Sequence, residues 1–134
     1  MARPRLDRPT NAELAILRVL WQRGSGTVRE VHEAAARDEQ VGYTTTLKLL
    51  QIMVEKGLAG RTEEGRLHRY WPRVSESDTQ RRMVADLVER VFGGSTEGLV
   101  MKALSSKRAT PDELERIRQL IDEAKSQQDG EEAR

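Results

Sequence analysis

Thr45, Lys48, Leu49 and Ile52 are spaced so that one helix would present all four on a single face. They lie at positions i, i+3, i+4 and i+7, which are neighbours on a helical surface. Threonine and lysine can donate hydrogen bonds to phosphates or base edges, and apolar side chains can contact thymine methyl groups. Such a helix can enter the major groove of DNA. The alternative is an amphipathic helix whose outer face contacts only solvent or a protein partner.

A second basic group follows the helix on two strand-like runs joined by a turn. It consists of Arg61, Arg66, His68 and Arg69. Cations on a projecting hairpin suit phosphate contacts, which position a protein on DNA without reading its sequence. Charged residues on an edge strand also prevent intermolecular pairing, and the two roles are compatible. The strand alternation leaves open that Arg69 instead packs its stem beside Trp71.

The predicted DNA-binding surface joins these two groups and adds further residues of the helix. It comprises Tyr43, Thr44, Thr45, Thr46, Lys48, Leu49, Ile52, Lys56, Arg61, Arg66, His68 and Arg69. The opposite face of the helix carries Leu47, Leu50 and Val54 and is expected to pack on the preceding helices.

Local signals around this surface predict three short helices followed by a β-hairpin. Helix starts and stops are marked by capping-box spacings and by glycine, at Thr10–Glu13, Thr27–Glu30, Tyr43 and Gly57. The two strands are expected over Leu58–Thr62 and Arg66–Trp71. The fold class is therefore mainly α with a small β-hairpin wing, a winged helix-turn-helix.

The rest of the chain predicts further helices whose apolar stripes need a partner. The stripe residues are Met83, Val84, Leu87, Val88, Val91, Leu99, Leu114, Ile117, Leu120 and Ile121. So short a segment encloses such stripes poorly within one chain, so we predict that they form a homodimer interface. The predicted organisation is a DNA-binding domain over residues 1–74 and a helical dimerisation region over residues 75–134, with a polar tail that frays from Gln127.

Composition supports a nucleic-acid partner and argues against other classes. Residues 1–82 hold 15 lysines and arginines against 11 acidic residues, while residues 83–134 hold 8 against 11. The chain has no cysteine and two histidines, which leaves no thiolate metal site, disulfide or cysteine nucleophile. No glycine-rich phosphate loop, catalytic triad or membrane-length apolar run is present. We predict a cytoplasmic protein that is not an enzyme, with no metal, no cofactor and no membrane insertion.

An ordered set of short motifs extends over nearly the whole chain. The motifs are Asn11–Leu14, Val19–Trp21, Thr27–His32, Tyr43–Thr45, Leu50–Gln51, Glu55–Leu58, Arg69–Pro72, Val91–Phe92, Gly94–Ser95 and Glu113–Leu114. In these motifs the chain resembles the penicillinase-repressor family of bacterial winged-helix regulators. The resemblance implies a homodimeric transcriptional repressor that binds a palindromic operator and controls β-lactam resistance or a related stress response.

The resemblance also implies a membrane sensor-protease as partner, which cleaves family members within the fifth helix. The cut site in β-lactam-responsive members is Asn-Phe, and the matching place here holds Lys102 and Ala103, which leaves cleavage open. Lys48 and Ile52 stand where the family commonly has threonine and arginine, so the operator can differ. The cysteine-rich copper-sensing tail of some relatives is absent. The alternative function is a winged-helix module that binds protein through Leu49 and Ile52.

Overall fold

The computed structural model describes residues 8–35, 42–106 and 108–132. In chain order its elements are α1 Asn11–Arg23, β1 Gly26–Thr27, α2 Val28–Ala35, α3 Tyr43–Lys56, β2 Ala59–Glu64, β3 Leu67–Pro72, α4 Glu76–Phe92, α5 Thr96–Ser105 and α6 Pro111–Glu132. They divide into two compact units, one ending at Asp86 and the other beginning at Leu87. The predicted fold class, three helices and a hairpin wing followed by further helices, is confirmed.

Two capping boxes begin the first two helices, as predicted. The Thr10 hydroxyl accepts from the Glu13 amide at 3.2 Å, and the Glu13 carboxylate accepts from the Thr10 amide at 2.8 Å. Thr27 and Glu30 repeat the arrangement at 3.2 and 2.9 Å. Each box satisfies amides that the first helical turn would otherwise leave unpaired.

The wing is the hairpin of β2 and β3. With β1 it forms a three-stranded antiparallel sheet in the order β1-β3-β2. The hairpin of β2 and β3 was predicted, but β1 was not, because two residues are too few to show an alternating pattern. Gly26 pairs with Tyr70 and Thr27 with Arg69, so the sheet ties the start of α2 to the wing.

Trp71 packs on the backbone of the neighbouring strand. A Cβ atom added to Gly60 would lie 2.2 Å from the Trp71 ring, so this close approach requires glycine. The Trp71 indole also donates a hydrogen bond of 3.1 Å to the Thr62 hydroxyl. Beneath the wing, Tyr70 and Leu58 join the hydrophobic core.

The core of the first unit lies between the three N-terminal helices and the wing. Its buried apolar residues are Ile16, Leu17, Val19, Leu20, Val28, Val31, Leu50, Met53, Leu58, Ala59 and Tyr70. Leu47 and Val54 of α3 are partly buried against it, as the spacing of the inward face predicts. The outer face of α3 is thereby directed away from the core.

The second unit contains the end of α4 together with α5 and α6. Ser95 caps α5 by accepting from the Gly98 amide at 2.9 Å, and Thr110 caps α6 in the same way. Helix α6 continues to Glu132, so the polar residues after Gln127 are helical. Its terminal glutamine, glutamate and aspartate residues are polar, but glutamine and glutamate are good helix formers, and polarity alone does not end a helix.

Most of the large apolar residues of the second unit face solvent in the single chain. Those with the largest exposure are Leu87, Val91, Val100, Met101, Leu104, Leu114, Leu120 and Ile121. Helix α5 has no buried residue at all. A group of this size that stays open is typical of an interaction surface.

Candidate nucleic-acid interface

A groove of about 450 Å³ lies between the start of α2, the first half of α3 and the wing. Its described lining residues are Thr27, Val28, Arg29, Tyr43, Leu47, Gln51, Arg61, Arg66, Leu67, His68 and Tyr70. This set includes three arginines and no carboxylate. Since the side chains of Arg29, Arg61 and Arg66 are all exposed, the groove presents positive charge to solvent and suits a polyanion.

The first turn of α3 opens beside this groove. Gly42 is its N-cap, and no side chain in the described part of the chain caps it. The amides of such a turn, together with the helix dipole, attract phosphate. Thr44, Thr45 and Lys48 are exposed on the outer face that follows.

Tyr43 is held in place at the start of α3 by an aromatic contact. Its ring meets the His32 ring edge to face, with centroids 5.8 Å apart. The same histidine ring lies within hydrogen-bond distance of the Thr46 hydroxyl, 3.1 Å from its Nδ1. Helix α2 therefore supports the first turn of α3, and half of the Tyr43 side chain stays open to solvent.

Four of the residues predicted to contact DNA are engaged partly or wholly within the protein. Thr46 is buried, and its hydroxyl lies within hydrogen-bond distance of His32 on α2. Leu49 packs against the hydrophobic core and Ile52 is half-buried. The Lys56 ammonium donates to the Glu13 carboxylate at 2.6 Å, and Glu13 is only 2% exposed. The outer face of α3 is thus narrower than its helical spacing indicates.

Arg69 is engaged by carboxylates on two sides. Its Nε donates to the two Glu64 oxygens at 3.1 and 3.2 Å, and its Nη1 lies 3.3 Å from Glu30 Oε1. The hydrogen bond and the charge of Glu64, followed by the charge of Glu30, raise the pKa of Arg69 above its ordinary value. The guanidinium already has anionic partners, unlike Arg61 and Arg66, for which the described residues provide no ion pair.

His68 lies partly buried on β3 beside the groove. Its Nδ1 is buried and has no hydrogen-bond partner among the described residues. His68 is also one of the residues that line the groove.

Two exposed polar residues of the groove, Arg29 and Gln51, were not among the residues predicted to contact DNA. Arg29 follows the Thr27 capping box and so stands in the first turn of α2, a position next to helix amides that bind phosphate. Gln51 lies three residues after Lys48, on the same side of α3. The helical positions of both residues can be read from the sequence. The close approach of α2, α3 and the wing, which places these residues in one groove, cannot.

The described residues contain neither a candidate metal site nor a helix that could span a membrane. Within residues 8–35, 42–106 and 108–132, no three histidine, cysteine or acidic side chains are grouped so that they could hold a metal ion. Over the same residues, no helix combines the length and the apolar character needed to cross a membrane.

A family model, curated proteins and solved structures that resemble this chain all name bacterial regulators of one kind. Residues 9–123 match the family described as Penicillinase repressor. The chain is 23% identical over 122 residues to the penicillinase repressor of Bacillus licheniformis, covering 91% of this chain and 95% of that one. It is 29% identical over 121 residues to the transcriptional regulator BlaI of Mycobacterium tuberculosis, covering 89% and 86%. The solution structure of the DNA-binding domain of the repressor BlaI is similar at a TM-score of 0.50 and 27% identity, covering 58% of this chain and 93% of that domain.

Proposed function

The chain belongs to the penicillinase repressor family, and we propose that it is a cytoplasmic transcriptional repressor that binds operator DNA as a homodimer. Its relatives include a penicillinase repressor and a transcriptional regulator, which supports control of a β-lactam resistance gene or a related stress response. Similarity to a repressor's DNA-binding domain supports DNA as the partner. Nothing in this role requires a catalytic residue or a cofactor.

The observation that carries this proposal is the groove with three arginines and no carboxylate beside the exposed face of α3. Helix α3 has the right side chains to read base edges in the major groove, where each base pair presents a distinct pattern. Arg29 from α2 and Arg61 and Arg66 from the wing would contact the flanking phosphates and fix the register. Release of counterions from those phosphates would drive association.

Lys48→Ala tests the role of α3. We expect it to weaken binding to a duplex that the wild-type protein selects from a random pool by about 1–3 kcal/mol, because Lys48 stands exposed on the outer face. If Lys48 reads a base, a second selection with the variant should lose its preference at one position. If it contacts a phosphate, affinity should fall equally on all duplexes and the salt slope by about one.

The matched control for Lys48→Ala is Lys125→Ala, which removes an exposed lysine from α6. It should leave binding unchanged. Equal affinity of wild type and Lys48→Ala on every duplex, at every salt concentration, would remove this face of α3 from the interface.

Replacing Arg61 and Arg66 together by alanine tests the groove. Since both are proposed to contact phosphates, affinity for the selected duplex and for an unrelated duplex should fall together. The slope of log affinity against log salt should drop by about two. Arg116→Ala with Arg118→Ala removes the same charge from α6 and should change neither quantity. A loss confined to the selected duplex would contradict the phosphate role.

The alternative function, protein binding through Leu49 and Ile52, has less support. Leu49 packs against the core and Ile52 is half-buried, so the apolar contact surface is small. A partner held by apolar contact would bind with weak salt dependence, whereas DNA binding falls steeply as salt rises.

A membrane sensor-protease is a separate question from DNA binding. Lys102 and Ala103 are exposed on α5, but they differ from the Asn-Phe site implied by the family resemblance. We therefore do not extend that partner to this chain.

A further inference from the structure

The carboxylate of Glu30 lies where three elements of the first unit meet. One oxygen accepts from Arg23 at the end of α1 at 2.7 Å. The other accepts from the Thr27 amide at the start of α2 at 2.9 Å and from Arg69 on β3 at 3.3 Å. A single side chain thus joins α1, α2 and the wing.

Arg69 extends this network across the wing. Its guanidinium bonds Glu64 on β2 at 3.1 and 3.2 Å, and its Nη1 lies 3.4 Å from the Ser25 hydroxyl. The pairing of Thr27 with Arg69 in the sheet brings Arg69 over the first turn of α2. The hairpin is therefore attached to α2 through Arg69 and Glu30 as well as through backbone pairing.

The backbone pairing between β1 and β3 is short. Strand β1 has two residues, and its register with β3 contains two pairs. Tyr70 and Leu58 anchor the base of the hairpin in the core, but only these two backbone pairs join it to the start of α2, and any remaining freedom in its angle would be lost when DNA binds. A side-chain connection at the same junction reduces that cost by holding the wing before DNA arrives.

Glu30 is also an unfavourable residue on electrostatic grounds alone. A carboxylate near a surface that binds a polyanion repels it. Hydrogen bonding from Thr27, with Arg23 and Arg69 nearby, lowers the pKa of Glu30 below its usual value and so stabilises its charged form. Capping α2 does not require this charge, because glutamine can serve the same position, so the two ion pairs with Arg23 and Arg69 are what the charge adds.

We propose that Glu30 and Arg69 form a latch that sets the angle of the wing against α2 and so directs Arg61 and Arg66 towards the DNA backbone. Arg69 is then a positioning residue and not a phosphate ligand. The latch rests on the proposed DNA-binding function, but its structural part can be measured without DNA.

The main test compares Glu30→Gln with Glu63→Gln in the full-length protein. Each removes one negative charge from the same unit, and Glu63 has no ion pair among the described residues. Glutamine is also a good third residue of a capping box, so Glu30→Gln keeps the cap of α2 while it removes the ion pairs.

Charge alone predicts that both variants bind DNA more tightly than wild type. The latch predicts that Glu30→Gln binds the selected duplex roughly tenfold more weakly, an effect of the size expected within one ion network. Glu63→Gln should bind as tightly as wild type or more tightly. Because the wing arginines are proposed to contact phosphates, affinity for an unrelated duplex should fall together with affinity for the selected one in Glu30→Gln.

Arg69→Gln separates positioning from phosphate contact. The latch predicts roughly tenfold weaker specific binding with an unchanged salt slope, and no further loss in the double variant with Glu30→Gln. A salt slope lower by about one would make Arg69 a phosphate ligand and overturn the latch. Glu30→Gln binding as tightly as Glu63→Gln would overturn it as well.

Hydrogen exchange of the wing amides gives a readout independent of DNA. The β2 and β3 amides should exchange faster in Glu30→Gln than in Glu63→Gln, because the wing opens more often. Equal exchange overturns the latch whatever the binding result. If exchange differs but the wild-type protein binds no duplex in the selection, the proposed function fails while the structural latch stands.

Discussion

A variant with Leu87→Asp and Ile117→Asp is expected to sediment as a folded monomer and to bind a full palindromic site about 10²–10⁴-fold more weakly than wild type. Both residues belong to the second unit, in which most large apolar side chains face solvent. Pairing with a second copy would bury this surface at about 25 cal/mol per Å². Burying an unpaired aspartate in this interface raises its free energy, so the two chains should separate.

The loss of affinity follows from geometry and requires no change in any base contact. A two-fold dimer sets two α3 helices against half-sites about one DNA turn, or a multiple of it, apart. Once one DNA-binding domain of the dimer is bound, the other binds from a high effective concentration. A monomer loses this second step, but it should bind an isolated half-site as well as a single DNA-binding domain of the wild type does.

The matched control is Gln119→Asp with Ser126→Asp. It adds the same two charges to exposed positions of α6 that lie opposite the apolar stripe by helical spacing. This control should remain dimeric and bind like wild type. Sedimentation, circular dichroism and titration against full and half sites decide the matter. A folded monomer that binds the full site as tightly as wild type would rule out the dimeric mechanism.

Much of the fold could be predicted because its signals are local. Thr10 with Glu13 and Thr27 with Glu30 mark helix starts within four residues, and Gly57 ends α3 in the left-handed conformation at φ 82°. Strand β1 could not be predicted, because it exists only through its pairing with β3, more than forty residues later. Two residues carry no periodic signal of their own.

The site was harder to predict than the fold. Helical spacing assigns residues to a face, but it does not tell how far neighbouring elements reach around that face. Thr46 has its partner His32 on α2, and Arg69 has its partner Glu30 at the start of α2. Such pairs depend on tertiary contacts between distant residues, so a basic or hydroxyl side chain in the sequence can equally serve DNA or the fold.

Lys56 is the clearest of these cases, and Lys56→Met is expected to destabilise the protein by about 3 kcal/mol. Its ammonium lies 2.6 Å from Glu13 Oε1, and the Glu13 side chain is 2% exposed while that of Lys56 is 16% exposed. Removing the lysine leaves a buried carboxylate without its counter-charge, which costs more than the pair contributes. Urea unfolding followed by circular dichroism measures the change.

Three further variants fix the interpretation of Lys56→Met. Lys48→Met removes an exposed lysine from the same helix and should change stability by less than about 0.5 kcal/mol. Glu13→Gln keeps an acceptor for the Thr10 amide, and in the double variant with Lys56→Met no buried charge remains, so part of the lost stability should return. At a temperature where Lys56→Met is folded, its DNA salt slope should equal that of wild type. Unchanged stability with a slope lower by about one would instead make Lys56 a phosphate contact, because the lysine would then be available to DNA and dispensable to the fold.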